Sequence, residues 1–133
     1  MTGTGIQDAI AAALANVPGC LAVAFIDISA GVALHMGTAS PLPPQVQEHL
    51  PAASASLFSH EDLALLDARI SGAAAIKPPR ELIANTEATT HVFLRGQTYP
   101  DYGAVFVCSK DTNFGYLLYK ARSALAQIEA ALQ

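Results

Sequence analysis

The sequence predicts an α+β fold, in which helices cover both faces of a five-stranded, mainly antiparallel sheet with the strand order 2-1-5-4-3. Two runs, residues 20–26 and 102–109, are apolar at consecutive positions. This pattern is typical of strands that are covered on both faces and are therefore central. The last third of the chain, which contains the second of these runs, has three strand-like runs in all, followed directly by an amphipathic helix. Placing the two apolar strands side by side in the middle gives the predicted order.

The first part of the chain predicts one helix and a β-hairpin. Apolar residues recur at helical spacing from Ile6 to Val17, and Pro18 and Gly19 end that helix. The apolar run at residues 20–26 is the first strand. Residues 27–31 then predict a hairpin loop in which Gly31 can adopt a positive φ, and residues 32–36 return as a second, shorter strand.

The middle of the chain, residues 37–79, is the least regular part and predicts two or three helical pieces. Val46 and Leu50 suit one face of the first piece, and Pro51 either kinks this helix or begins a new one. In the last piece Leu63, Leu66 and Ile70 repeat at helical spacing, up to a stop at Gly72. We expect Ser59 to be the N-cap of that piece.

The last third predicts a three-stranded meander and a closing helix. Its strands are residues 80–86, 90–96 and 102–109. Leu82 and Ile83 face opposite sides of the first of these strands, which the predicted order leaves at an exposed edge of the sheet. The closing helix is capped by Thr112 or Asn113. Its apolar stripe is Phe114, Leu117, Leu118, Ala121, Leu125, Ile128 and Leu132.

Composition favours one domain that associates with itself and does not bind nucleic acid. The 133 residues fit a single domain, residues 1–133. The chain is 52% hydrophobic and only 14% charged, which is a hint of apolar surface hidden against a partner. A net charge of −4 with scattered basic residues argues against nucleic acid and against an anionic membrane.

The cysteines and the N-terminus favour a reduced compartment. Cys20 and Cys108 lie inside apolar runs, so buried thiols are a better interpretation than a disulfide. Residues 1–5 lack the basic start of a signal peptide, and no apolar run reaches the length of a membrane span. We therefore expect a cytoplasmic protein with no membrane insertion.

No catalytic, cofactor-binding or metal-binding motif is evident, so the sequence predicts a protein that is not an enzyme and needs no cofactor. The four histidines, which are His35, His49, His60 and His91, lack the spacing of a local metal site. Cys108 is expected to be an inert core thiol, and no serine has the Gly-x-Ser-x-Gly context of a hydrolase. Arg95 and Tyr99, in and after the fourth strand, are expected to be solvated.

Several stretches, taken in order, carry a resemblance to a known family. They are Leu82-Ile83-Ala84-Asn85-Thr86, His91-Val92-Phe93-Leu94, Ala104-Val105-Phe106-Val107, and Asn113-Phe114-Gly115-Tyr116-Leu117-Leu118 with Ala121-Arg122. With the N-terminal hairpin, this succession resembles the roadblock/dynein light chain family over nearly the whole chain. The chain departs from the family in the middle, where Pro51 and the Ser59 cap interrupt what is usually one continuous helix.

The resemblance implies a homodimer in which the middle helix and the third strand of each subunit pair across a two-fold axis. The candidate interface residues are Val46, Leu50, Leu57, Leu82, Ile83 and Asn85. Bacterial members of the family often regulate Ras-like small GTPases, which makes such a GTPase the implied partner. Two alternatives stay open at this point. They are a small-molecule sensory module of the PAS or profilin-like type, which needs an internal cavity, and a structural subunit of a larger assembly.

Overall fold

The computed structural model describes residues 3–59 and 61–132, in which the elements follow the predicted succession. The helices are α1 (Gly3–Asn16), α2 (Pro44–Phe58), α3 (Glu61–Ser71) and α4 (Phe114–Ala130). The strands are β1 (Cys20–Asp27), β2 (Val32–Thr38), β3 (Glu81–Asn85), β4 (Thr89–Arg95) and β5 (Tyr102–Ser109).

The five strands form one sheet in the order β2-β1-β5-β4-β3, and each neighbouring pair is antiparallel. The two central strands, β1 and β5, pair from Cys20 opposite Cys108 to Asp27 opposite Tyr102. The predicted order and the central place of the two apolar strands are confirmed. Gly31 in the β1–β2 turn has a φ of 71°, as the hairpin prediction requires.

Helices α1 and α4 cover one face of the sheet and enclose the larger core. The amphipathic pattern of α4 explains its placement, because its buried side chains lie three or four residues apart. Asn113 caps this helix by accepting a hydrogen bond from the Tyr116 N–H at 2.9 Å, whereas Thr112 donates to the Ser109 carbonyl. The largest buried side chains of this core are Ile10, Val23, Phe25, Val92, Leu94, Phe106, Leu117 and Ile128.

Helix α2 covers the opposite face and encloses a smaller core. Phe58, at the last position of the helix, is fully buried there, and its ring meets Phe93 edge-on with centroids 6.0 Å apart. The other buried members of this core are Ala24, Ile26, Ile28, Ala55 and Val105. Helices therefore lie on both faces of the sheet, as predicted.

The structure corrects three local predictions. Pro51 does not begin a new helix, because it lies buried within α2, where packing outweighs the low helix propensity of proline. Ser59 is the C-cap of α2; residue 60, which would precede α3, lies outside the described residues. Phe114 is 43% exposed, because at the first position of α4 it lies beyond the edge of the core.

Within residues 3–59 and 61–132, no helix combines the length and the apolar character that a membrane crossing needs.

Candidate partner-binding face

A shallow apolar groove lies between α2 and the β3 edge of the sheet. It encloses about 240 Å³ and exists because α2 packs over β1, β2 and β4 rather than over β3. Its walls are almost wholly carbon, with His91 as the one titratable side chain among them. The lining residues are Leu50, Ala53, Ser54, Leu57, Ala84, Thr86, His91 and Phe93. Such a groove suits an apolar side chain of another protein.

The predicted interface residues on α2 lie in or beside this groove. Leu50 and Leu57 line it, because residues seven apart share one face of a helix. Leu57 is 41% exposed, and Val46, one turn before Leu50, is 44% exposed. Val46 and Leu57 are therefore partly exposed on α2, whereas Leu50 is half-buried against the smaller core. Their contact with a partner stays a prediction.

The predicted interface residues on β3 divide between the two faces of the strand. Leu82 packs against the smaller core with Ala84, whereas Ile83 lies on the other face and is 40% exposed. Asn85 is exposed, and its Oδ1 accepts a hydrogen bond from Thr90 Oγ1 at 2.8 Å. Asn85 is thus engaged within the subunit, and a role for it in binding a partner also stays a prediction.

Strand β3 is an edge of the sheet, since β4 is its neighbour on one side and no described strand lies on the other. Glu81 fixes the start of this strand to α4, with Arg122 donating from Nε at 2.9 Å and from Nη2 at 2.7 Å. The same hydrogen bonds from Arg122 lower the pKa of the Glu81 carboxyl. The edge is therefore held in place while its outer backbone groups remain open to another strand.

Arg95 is engaged within the subunit, and the prediction that it is solvated is wrong. Its guanidinium donates to three carbonyls, from Nε to Pro79 at 3.0 Å, from Nη1 to Pro100 at 2.9 Å and from Nη2 to Phe58 at 2.6 Å. It also lies 5.5 Å from the centroid of the Phe58 ring, within reach of a cation–π interaction. Arg95 therefore fixes the end of α2 over the sheet and with it one wall of the groove. An arginine within a strand gives no sequence signal for such a role.

His91 lies in the groove with its ring stacked on Phe93, at 6.1 Å between centroids and 12° between planes. Its Nε2 is 2.8 Å from Thr89 Oγ1. Burial lowers the pKa of this imidazole, because an apolar setting disfavours the charged form. The neutral ring then completes a wall that is uncharged at neutral pH.

Helix α3 carries a second apolar surface, which the sequence did not single out as a surface. Leu66 and Ile70 are 56% and 77% exposed, although their helical spacing is that of a core-facing stripe. The side of α3 that faces the domain is made by Ala64 and Ala68, which are buried. In a surface helix of a monomer, the large apolar side chains usually face the core. Helix α3 has the reverse arrangement, with alanines facing the domain and large apolar side chains exposed. This inversion marks α3 as a further candidate for contact with another protein.

The structure shows no metal centre in the part of the chain that it describes. No group of three or more His, Cys, Asp or Glu side chains in residues 3–59 and 61–132 could hold a metal ion. His60 lies outside those residues. The larger cavities, such as the groove of about 630 Å³ between α3 and residues 77–81, are open at the surface, whereas the two cores are filled by aliphatic and aromatic side chains.

Comparison with solved structures shows that the chain has the roadblock fold. It is similar to a roadblock/LC7 domain from Streptomyces avermitilis, with 13% identity, a TM-score of 0.71, and coverage of 93% of this chain and 94% of that one. It is also similar to the gliding protein MglB from Thermus thermophilus, with 16% identity, a TM-score of 0.74, and coverage of 98% and 93%. An MglB structure with a tetrameric arrangement has 18% identity, a TM-score of 0.74, and coverage of 98% and 95%. No protein-family model matches the sequence, and neither does any curated protein.

Proposed function

We propose that this protein is a non-enzymatic interaction protein of the cytoplasm that forms a homodimer through α2 and β3 and, as a dimer, binds and regulates a Ras-like small GTPase. The observation that carries the proposal is the apolar groove between α2 and β3, directly beside an open sheet edge. A two-fold axis beside that edge would bring the same groove and the same strand of a second subunit together, which is the geometry of an isologous interface.

Two kinds of contact would hold the dimer together. The outer backbone groups of β3 can pair with those of a second β3 and extend the sheet across the axis. The exposed parts of Val46 and Leu57 on α2, 44% and 41% of each residue, would leave water, and covering them stabilises the contact by roughly 1 kcal/mol for each side chain. The low charge of the chain, 14%, is consistent with such a covered surface.

The similar structures support self-association, and the family resemblance supports the GTPase partner. One of the MglB structures has a tetrameric arrangement, so this fold does assemble from several copies in that protein. The regulation of a GTPase rests on what the resemblance implies for bacterial roadblock proteins. The non-enzymatic part rests on the sequence, which has no nucleophile elbow, no phosphate-binding loop and no evident carboxylate pair.

A pair of lysine substitutions on the two sheet edges tests the dimer. Ile83→Lys introduces a charge on β3, which opposes strand pairing. Val32→Lys is its matched control, because Val32 is an exposed aliphatic residue, 55% accessible, on the opposite edge strand β2. We expect light scattering after gel filtration to give a dimer for the wild type and for Val32→Lys, and a monomer for Ile83→Lys. A dimer that survives Ile83→Lys places the interface elsewhere, and a monomeric wild type at micromolar concentration overturns the proposal.

Affinity capture from a native lysate tests the partner. The wild-type protein, incubated in lysate supplied separately with GDP and with a non-hydrolysable GTP analogue, should recover a Ras-like GTPase in at least one of the two conditions. Ile83→Lys should recover less of it if the dimer is the binding form. Failure to recover any GTPase under either nucleotide would remove the GTPase from the proposal while leaving the dimer intact.

The exposed stripe of α3 favours a second candidate function, that of a structural subunit in a larger assembly. Leu66 and Ile70 give the chain a second exposed apolar surface outside the α2–β3 groove. The double variant Leu66→Glu/Ile70→Glu separates the two functions. Loss of co-purifying subunits with the dimer and the GTPase contact retained favours the assembly role. Loss of the GTPase contact alone assigns α3 to GTPase binding.

A further inference from the structure

Cys20 and Cys108 face each other across the two central strands. Cys20 begins β1, Cys108 lies one residue before the end of β5, and the two are direct partners in the antiparallel register. Both belong to the core beneath α1 and α4, so their side chains lie on the same face of the sheet. The register shifts immediately after Cys20, which leaves this pair as the last of the β1–β5 ladder.

One backbone hydrogen bond beside this pair indicates its type in the ladder. The Ser109 N–H donates to the Gly19 carbonyl at 2.9 Å, and this bond joins the residues just outside the cysteines. In an antiparallel ladder such a bond flanks a pair that is not itself hydrogen-bonded, and in such pairs the Cα atoms lie about 4.5 Å apart with their side chains close. A disulfide needs a Cα separation of about 4.4–6.8 Å and Cβ atoms about 3.5–4.5 Å apart. A pair of this type has the backbone spacing that a disulfide needs.

The two thiols interact in their reduced form. The neighbouring Cys108 thiol, and then burial, raise the pKa of Cys20. The Cys20 thiol also donates to the Ala22 carbonyl at 3.4 Å. Cys20 is 8% exposed at the rim of the sheet, and Cys108 is wholly covered. Both thiols are thus buried on the same face of the sheet, and Cys20 is the less completely covered of the two.

We propose that Cys20 and Cys108 are a redox modification site that closes to an intramolecular disulfide when the protein meets a peroxide. One cysteine sulfur attacks a peroxide oxygen, the O–O bond breaks, and a sulfenic acid and one water result. The second cysteine sulfur attacks the sulfenic sulfur, the S–O bond breaks, and the hydroxyl leaves with a proton as a second water. Two thiols and one hydrogen peroxide thereby give one disulfide and two waters, with sulfur oxidised and peroxide reduced.

The disulfide would join the start of β1 to the end of β5. These ends are far apart in sequence, so the cross-link restricts the unfolded chain over most of the sheet and favours the folded state. We expect the midpoint of thermal unfolding to rise on the order of 10 °C on oxidation. In a reducing compartment such a bond is transient, so the reduced and oxidised forms differ in stability and not in fold.

Thiol counting on the full-length chain tests the proposal. The protein is reduced, freed of reductant, treated with hydrogen peroxide, unfolded in the presence of N-ethylmaleimide, and measured by intact mass spectrometry. We expect the loss of two hydrogens and no maleimide, a cross-linked peptide that contains both cysteines after digestion, and reversal by reductant. Two maleimide adducts, an added oxygen without the loss of hydrogens, or a cross-link between two chains on a non-reducing gel would overturn it.

Single variants provide the control. Cys20→Ala and Cys108→Ala each leave one thiol, so neither should lose two hydrogens with peroxide or show a rise in the unfolding midpoint. If a variant fails to fold, the mass and the cross-linked peptide of the wild-type protein still decide the matter. A rise in the midpoint of equal size in a folded single variant would mean that oxidation acts through another group.

Discussion

The ring of Phe58 occupies the space that a side chain on Gly103 would need. A Cβ atom on Gly103 would lie 2.8 Å from Cζ and 2.9 Å from Cε2 of that ring. The end of α2 therefore rests directly on the backbone of the central strand β5, and the glycine permits this approach. Phe58 holds α2 over the sheet, and α2 forms one wall of the groove. The position of the groove therefore depends on the absence of a side chain at Gly103.

Gly103→Ala should destabilise the protein by about 1–3 kcal/mol, because the added methyl group overpacks the smaller core. Phe58→Leu should recover part of this loss when it is combined with Gly103→Ala, since the two residues compete for one space. Urea denaturation of the two single variants and the double variant measures the coupling. Gly115→Ala is the matched control, because a Cβ there meets nothing closer than Asn113 Oδ1 at 3.7 Å. Strict additivity of the two substitutions would contradict the contact.

Arg95→Met should cost about 2 kcal/mol, because it keeps most of the apolar stem and removes the donors to the carbonyls of Phe58, Pro79 and Pro100. Arg69→Met on the exposed surface of α3 should change stability by less than about 0.5 kcal/mol. Chemical denaturation compares the two. Equal losses from both substitutions would mean that Arg95 does not join the three segments.

Glu129→Gln should destabilise the protein by about 1–3 kcal/mol. The Glu129 carboxylate is buried and accepts the N–H groups of Gln97, Thr98 and Tyr99 at 3.1, 3.0 and 2.8 Å. A glutamine turns one acceptor into a donor that faces these N–H groups. Thermal unfolding measures the loss, and Glu87→Gln in the exposed β3–β4 turn is the control. A melting temperature for Glu129→Gln equal to that of the control would rule this role out.

Stability should fall as the pH drops below about 6.5, the ordinary pKa of histidine, and His91 should cause part of this fall. Burial lowers the pKa of His91 in the folded protein, so the unfolded chain binds the proton first. The stabilising contribution is complete above the unfolded-state pKa and is lost as the pH falls towards the folded-state value.

Free energies of unfolding at a series of pH values, from about 7.5 down to about 5, measure this dependence across the ordinary pKa of histidine. His91→Gln should flatten the slope, whereas His49→Gln, exposed on α2, should keep the wild-type slope. If the dimer covers the groove, wild-type dimers should also weaken in the same pH range. An unchanged slope in His91→Gln would show that other groups carry the pH dependence.

The sheet could be predicted from the sequence because its two central strands have a distinctive pattern. Consecutive apolar residues from 20 to 26 and from 102 to 108 fit only the middle of the sheet, and the alternation around Ile83 assigned the faces of the edge strand. Side chains whose role depends on distant backbone could not be assigned in this way. Arg95 and Glu129 bind carbonyl and N–H groups of other segments, and nothing in their local sequence distinguishes them from solvated charges.

The middle of the chain was harder to predict because the sequence does not show which face of each helix packs against the rest of the domain. In α3 Leu63, Leu66 and Ile70 repeat at the helical spacing that the sequence predicted, yet the domain packs on the alanines between them. Periodicity reports which residues share a face and does not report which face is covered within the subunit. Cys20 and Cys108 were predicted to be buried thiols, and Cys108 an inert one, although the same strand order that placed β1 beside β5 also placed the two thiols opposite each other.

The hydrogen bonds of the Glu129 carboxylate join the last turn of α4 to the loop after β4, so the two segments should separate from each other only when these bonds break. Amide protons at positions 97, 98 and 99 should therefore exchange with deuterium at a rate set by the undocking of that turn, although they belong to an exposed connection. Slow exchange at these three amides therefore reports that the last turn of α4 is packed against this loop. The measurement can be made on any variant and needs no binding partner.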